Sequence, residues 1–171
     1  DVMIASSSGK GIRFHETKVR SMGRGASGVR GITLSNNKEK VVGMICINDH
    51  ESHILVVSEN GYGKRSNIDA YRITNRGGKG VKTINVTQKT GSLIAIKNVV
   101  DENGLMIINK SGVMIRMSVE TMRVMGRTTQ GVKLINIKEG DQISSVAKVD
   151  IDKSEDGEME SEDSIKESSN L

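Results

Sequence analysis

The feature that most constrains this chain is an internal repeat with a period of about 51 residues. Residues 1–50, 52–102 and 104–149 superimpose. Each segment opens on an apolar run, "VMIAS", "ILVVS" or "LMIIN", and passes a glycine turn at Gly9, Gly61 or Gly112. An arginine follows four residues later, at Arg13, Arg65 or Arg116, and another at Arg20, Arg72 or Arg123. Next comes a loop ending in glycine: "GRGASG" at 23–28, "NRGGKG" at 75–80 and "GRTTQG" at 126–131. Each loop runs into a strand-like alternation, "VRGITL", "VKTINV" or "VKLINI", and each unit closes on "VVGMICI", "LIAIKNVV" or "ISSVAKV".

Every one of these runs is short, rich in β-branched residues and bounded by Gly, Asn, Asp or Lys, which is the pattern of β-strands. Four strands per unit predict an all-β, propeller-like array of three four-stranded blades. Helix is expected at most as single turns, at 16–22 and 118–125. Phe14, Tyr62 and Tyr71 are all the aromatics the chain has, so the core has to be aliphatic. Cys46, the single cysteine, lies inside "VVGMICI" and cannot form an internal disulfide; its surroundings predict a buried strand thiol in an intracellular protein. No apolar run approaches the roughly 18 residues of a membrane span, and no membrane partner is expected. The chain starts at Asp1 and enters an apolar run at once, which reads as a piece of a longer protein.

The net charge of +4 conceals an asymmetry. Residues 150–171 hold nine Asp/Glu and two Lys, which leaves 23 Lys/Arg against 12 Asp/Glu, a net of +11, for residues 1–149. The acidic stretch has few apolar residues and no period, the composition of a disordered tail. A basic body of this kind suits a polyanionic partner.

Apolar positions that repeat need only a core to explain them, whereas repeated basic positions ask for more. Four slots are cationic in all three units: Arg13/Arg65/Arg116, Arg20/Arg72/Arg123, Arg24/Arg76/Arg127 and Arg30/Lys82/Lys133. In a toroidal array one slot faces one side in every blade, so these twelve side chains are expected to form a belt. Arginine suits a phosphate track because its planar guanidinium binds phosphate bidentately and stays charged. The competing explanation is that they are solvated, or pair between blades. The loop glycines, Gly77, Gly78 and Gly80 around Lys79, would let phosphate approach backbone N–H groups; alternatively Gly28, Gly80 and Gly131 serve turn geometry alone. Duplex is favoured over single-stranded nucleic acid, because single-strand platforms stack bases on aromatics. No recognition helix or finger is visible, so binding to the backbone without sequence preference is expected.

Other motifs carry less. "GRGASG" matches G-x-G-x-x-G, but a strand-like run follows it where a dinucleotide site needs a helix. "GYGKRS" at 61–66 lacks the first glycine of a phosphate-binding loop and has Arg65 in place of Ser or Thr. His50 and His53 have no further His or Cys nearby to complete a metal site. No nucleophile–base pair stands out, so neither a catalytic residue nor a metal site is expected.

The stretches "GKGIRFHETKVRSMGRGASGVRGI", "NGYGKRSNIDAYRITNRGGKGVKTI" and "SGVMIRMSVETMRVMGRTTQGVKLI" resemble the last three blades of the C-terminal domain of the DNA gyrase A family. The corresponding chain of topoisomerase IV is a close relative. The family signature is Q-R-R-G-G-K-G; here residues 74–80 read "TNRGGKG", so Arg76 to Gly80 match while Thr74 and Asn75 depart. The resemblance implies a β-pinwheel whose blades exchange strands, with duplex DNA wrapped on a basic rim in support of ATP-dependent negative supercoiling. It implies a cytoplasmic, chromosome-associated bacterial protein that works with a second copy of gyrase A, together with gyrase B. ATP and Mg²⁺ would bind elsewhere in that complex, and the cleaving centre would also lie elsewhere. A propeller-type module that meets an acidic protein, or the decatenating chain of topoisomerase IV, stays open as an alternative. An interaction rim would more often carry aromatic anchors than this chain does.

Overall fold

In the computed structural model residues 1–150 are described, so the tail reading lies outside the described residues from 151 onward. Each unit begins with a hairpin whose turn is a glycine in the left-handed region, at φ 77°, 80° and 87° for Gly9, Gly61 and Gly112. These turns join β1 (Val2–Ser6) to β2 (Lys10–Phe14), β4 (His53–Ser58) to β5 (Tyr62–Asn67) and β8 (Asn103–Asn109) to β9 (Met114–Ser118). The last run of each unit, β3 (Val41–Cys46), β7 (Leu93–Val99) or β11 (Ile143–Asp150), returns antiparallel along the first strand of its own hairpin.

The third run of a unit leaves home. β6 (Val81–Lys82), from the second unit, pairs with β2 of the first, and β10 (Val132–Lys133), from the third unit, pairs with β5 of the second. The sheets are therefore ordered β3-β1-β2-β6, β10-β5-β4-β7 and β11-β8-β9. This is the strand exchange of a pinwheel. The third sheet has three strands rather than the expected four, because the outer place is filled from a following unit and the described residues contain none.

Exchange dictates where the core lies. The middle blade is covered on both faces, so β4 reads as an unbroken apolar run rather than an alternation. Ile54 and Val56 pack with Met3, Ala5, Ile68, Tyr71, Ile84 and Ile96 between the first two blades. Leu55 and Val57 pack with Leu105, Ile107, Val119, Met122 and Val146 between the second and third. The inner strands β3 and β11 both lie against β7. Among the described residues helix is confined to two 3-10 turns, Glu16–Lys18 and Ile68–Ala70; the turn expected at 118–125 does not form one.

Two single residues stand out against the sequence reading. Cys46 is exposed, not buried, since it ends the innermost strand and faces a hollow shared with Lys97, Asn98 and Val146. Glu39, in the turn before β3, is 6% exposed and holds the first blade together. Burial opposes its charge, but hydrogen bonds from Ser6 (2.6 Å), Ser8 and the Ser35 amide outweigh that and draw the carboxyl down to about 2.

Candidate nucleic-acid interface

The belt of twelve cations divides by what each guanidinium already holds. Arg13 is 4% exposed and sits in β2, between two blades. Its Nε donates to Asp1 Oδ2 (2.8 Å) and its Nη1 to the carbonyls of Ile68 (3.0 Å) and Tyr71 (3.2 Å) in the second unit. Burial lowers its pKa, and the carboxylate of Asp69 works the other way. Arg65 repeats the arrangement one blade on, with Nε to the Met122 carbonyl at 2.6 Å and Nη1 against Asp101. These two arginines are corrections to the predicted belt: they are buried and face inward as clamps to the next blade. Arg116 fills the same slot in β9, meets no next blade among the described residues, and is exposed.

A second slot clamps backward. Arg76 reaches the preceding unit through Nε to the Lys18 carbonyl (2.8 Å) and Nη1 to the Arg30 carbonyl (3.1 Å). Arg127 does the same, to the carbonyls of Ala70 (3.1 Å) and Lys82. Both remain partly accessible, whereas Arg24, which meets no preceding unit among the described residues, is exposed. The other slots are open. Arg20, Arg72 and Arg123 are exposed beside the loops, Lys82 and Lys133 are exposed on the exchanged strands, and Arg30 is exposed on the corresponding run of the first unit, which forms no strand. Beyond a 3.3 Å bond from Lys82 Nζ to Asn85, no side-chain hydrogen bond engages these six among the described residues.

The loop glycines serve the chain first. At Gly80 (φ 73°) a Cβ would lie 2.5 Å from the Gly11 carbonyl oxygen, and at Gly131 (φ 82°) 2.6 Å from that of Gly63. Each lets a loop press onto the strand of the preceding blade just before the exchanged strand begins. The Gly77 amide donates to the Gly31 carbonyl at 2.6 Å, so it is not available to phosphate. Gly78 and Lys79 remain accessible at the tip. Beneath them Arg72, Thr74, Asn75 and the loop enclose a hollow of about 290 Å³. Around Gly28 no atom would meet a Cβ within 4 Å, so the first loop stands free.

What the sequence reading missed lies beside the exchanged strands. Lys10 pairs across from Lys82, and Tyr62 from Lys133. Lys89 stands 5.5 Å over the Tyr62 ring, where the attraction of a cation to a ring face holds it. Lys133, Lys138 and Lys89 share one cleft with Tyr62 and Asn60. The signal was available, since Lys38, Lys89 and Lys138 each sit in the turn after the exchanged segment, but the turns differ in length and hide the register.

Blades that exchange an outer strand and lock it with arginines from both sides define a β-pinwheel repeat protein. A family model described as "DNA gyrase C-terminal domain, beta-propeller" matches residues 1–48, 52–99 and 105–150, and the chain belongs to that family. It is 44% identical over 161 residues to the DNA gyrase A protein of Staphylococcus aureus (strain MRSA252), covering 94% of this chain and 18% of that protein. With the DNA gyrase A protein of Chlamydia pneumoniae the identity is 39% over 155 residues, 91% of this chain and 18% of the relative. The chain thus spans about a fifth of the length of the curated relatives it matches. A solved DNA gyrase A C-terminal domain aligns with a TM-score of 0.78 at 26% identity, over 86% of this chain and 50% of that one. The C-terminal domain of DNA topoisomerase IV aligns at 0.81 but 19% identity, over 87% and 46%, a likeness of fold. No helix of the described residues is long and apolar enough to cross a membrane.

Proposed function

We propose that this chain binds duplex DNA along its outer edge without sequence preference, as a wrapping element of gyrase A. The observation that carries the reading is the division of the cations. Those that hold blades together are buried or bonded, while Arg20, Arg72, Arg123, Arg30, Lys79, Lys82 and Lys133 are exposed, Lys82 and Lys133 on the exchanged outer strands themselves. Phosphate contacts of this kind fix position without reading bases. A duplex bent over successive blades would meet an equivalent set at each step, with the bending cost repaid by the added contacts.

The wider setting follows the resemblance. The partners would be gyrase B together with a second copy of gyrase A. The compartment would be the bacterial cytoplasm with its chromosome, and the result negative supercoiling at the expense of ATP bound elsewhere. The units at 1–50, 52–102 and 104–149 would then be three blades of a larger disc. The chemistry of strand cleavage is assigned to another part of the protein.

Replacing Arg72, Lys79 and Lys82 together by Ala is expected to raise the Kd for a random duplex by about tenfold or more, since each removes one phosphate contact. Replacing Lys97 and Lys148, on the inner strands β7 and β11, is expected to leave it within about twofold. Fluorescence anisotropy at fixed salt measures both; equal losses from the two sets would mean that diffuse charge, not the outer edge, binds DNA.

A further inference from the structure

Lys64 has no place on the outer edge. It lies in β5, inside the "GYGKRS" motif, and its side chain is fully buried. Its register position corresponds to Ile12 in the first unit and Ile115 in the third, so the fold does not require a charge there. Its Nζ points into the loop of the next blade. It donates to the carbonyls of Gly126 and Arg127, both at 2.6 Å, and lies 3.1 Å from Thr129 Oγ1.

The neighbouring loop is built the other way. Under residues 75–80 the floor is Ile12, whose Cδ1 would stand 3.4 Å from a Cβ on Gly78, the counterpart of Thr129. That loop carries its lysine on top, at Lys79; the third loop has Gln130 in that place, turned to Thr87 Oγ1 at 3.0 Å. One loop has a cation at its tip over an apolar floor, and the other has a neutral tip over a buried cation. A buried ammonium needs hydrogen-bond acceptors to offset its lost hydration, and the loop carbonyls supply them.

We propose that Lys64 is a positioning residue for DNA binding: from the floor of the third loop it fixes the course of residues 126–131 and supplies beneath them the positive charge that Lys79 supplies directly in the second. The inference rests on the DNA-binding reading above. The charges that face Lys64 are few. Arg127 lies on the loop it holds, Lys133 is on β10, Arg65 is next to it on β5 but committed to Met122 and Asp101, and the residue across from it on β4 is Val56. Burial first, and then the like charge of Arg127, draw its pKa down to about 8. Phosphate above the loop favours the charged form, so binding takes up protons and weakens as pH rises through that value.

The test pairs Lys64→Met, which keeps the stem and removes the charge, with a compensated chain. The latter carries Lys64→Ile with Thr128→Gly, Thr129→Gly and Gln130→Lys, which rebuilds the third loop on the plan of the second. Amide hydrogen exchange without DNA is expected to show residues 126–131 losing protection in Lys64→Met while β4 and β8 keep theirs. Affinity for a random 40-base-pair duplex is expected to fall about three- to tenfold, and the compensated chain to recover it. In the unaltered chain that affinity should decline from pH 7 to pH 9, and in Lys64→Met it should be flat over the same range. If Lys64→Met does not fold, the pH series on the unaltered chain and the affinity of the compensated chain decide. Unchanged loop protection and unchanged affinity would overturn the proposal. Failure of the unaltered chain to bind any duplex would instead overturn the DNA-binding reading, and the exchange measurement would still settle whether Lys64 holds the loop.

Discussion

Replacing Arg13 by Met should cost the fold about 3–5 kcal/mol, whereas the same change at Arg116 should stay within about 0.5 kcal/mol, although the two residues hold the same place in the repeat. Methionine keeps the stem of Arg13 and removes the guanidinium. What remains is the Asp1 carboxylate, its side chain 10% exposed, and the Tyr71 carbonyl, both without their donor, while the Ile68 carbonyl keeps only the Tyr71 amide at 2.9 Å. An uncompensated buried charge is the costly outcome of breaking such a pair. At Arg116 no next blade is present among the described residues, so exposed surface is replaced by exposed surface. Urea unfolding of the two variants and the parent checks this. Equal losses, or none at Arg13, would contradict the clamp. Duplex affinity of the folded Arg13→Met chain should stay near that of the parent, because its guanidinium never reaches the outer edge.

Gly80→Ala is expected to cost about 3 kcal/mol or more, against about 1 kcal/mol for Gly28→Ala. Both glycines hold a positive φ, 73° and 80°. The backbone strain is therefore similar, and the difference lies in the space. A Cβ at residue 80 meets the carbonyl oxygen of Gly11 at 2.5 Å and its carbon at 2.8 Å, which are backbone atoms that cannot turn aside. To admit it, the loop must lift from β2, and the pairs Lys10↔Lys82 and Gly11↔Val81 open. Lys79 and Lys82 then lose their setting, so DNA affinity should drop along with stability. Thermal unfolding of the two variants compares them; parity between Gly80→Ala and Gly28→Ala would mean that the loop does not bear on the strand as described.

Much of this architecture was legible in the repeat. The period marked out the blades, the glycines at Gly9, Gly61 and Gly112 marked the hairpins, and β4 announced its double burial by dropping its alternation. Which sheet the segment after each loop joins was not legible from residue patterning alone, because "VKTINV" looks the same whether it pairs at home or next door. That choice is made by tertiary contact, and it decides the fate of the cations. Arg13, Arg65 and Arg116 share a residue type and a register, yet two are buried and one is exposed. A periodic charge could therefore be recognised from sequence as purposeful, but its purpose could not be assigned. Lys64 is the converse case. As the odd member of an otherwise apolar slot it carries no periodic signal, and only the packing of the next loop onto β5 gives its charge a role.

The central claim is that an edge of exposed cations, distinct from the clamping ones, grips the duplex backbone. Its most direct measurement is the affinity of the chain for two unrelated duplexes as salt is raised from about 50 to about 200 mM. The account predicts equal affinities for the two sequences and a linear fall of log K with log salt, with a slope near −0.9 for each phosphate engaged and so of about −6 if all of the exposed set engages. A flat salt dependence, or a strong preference for one duplex, would contradict it.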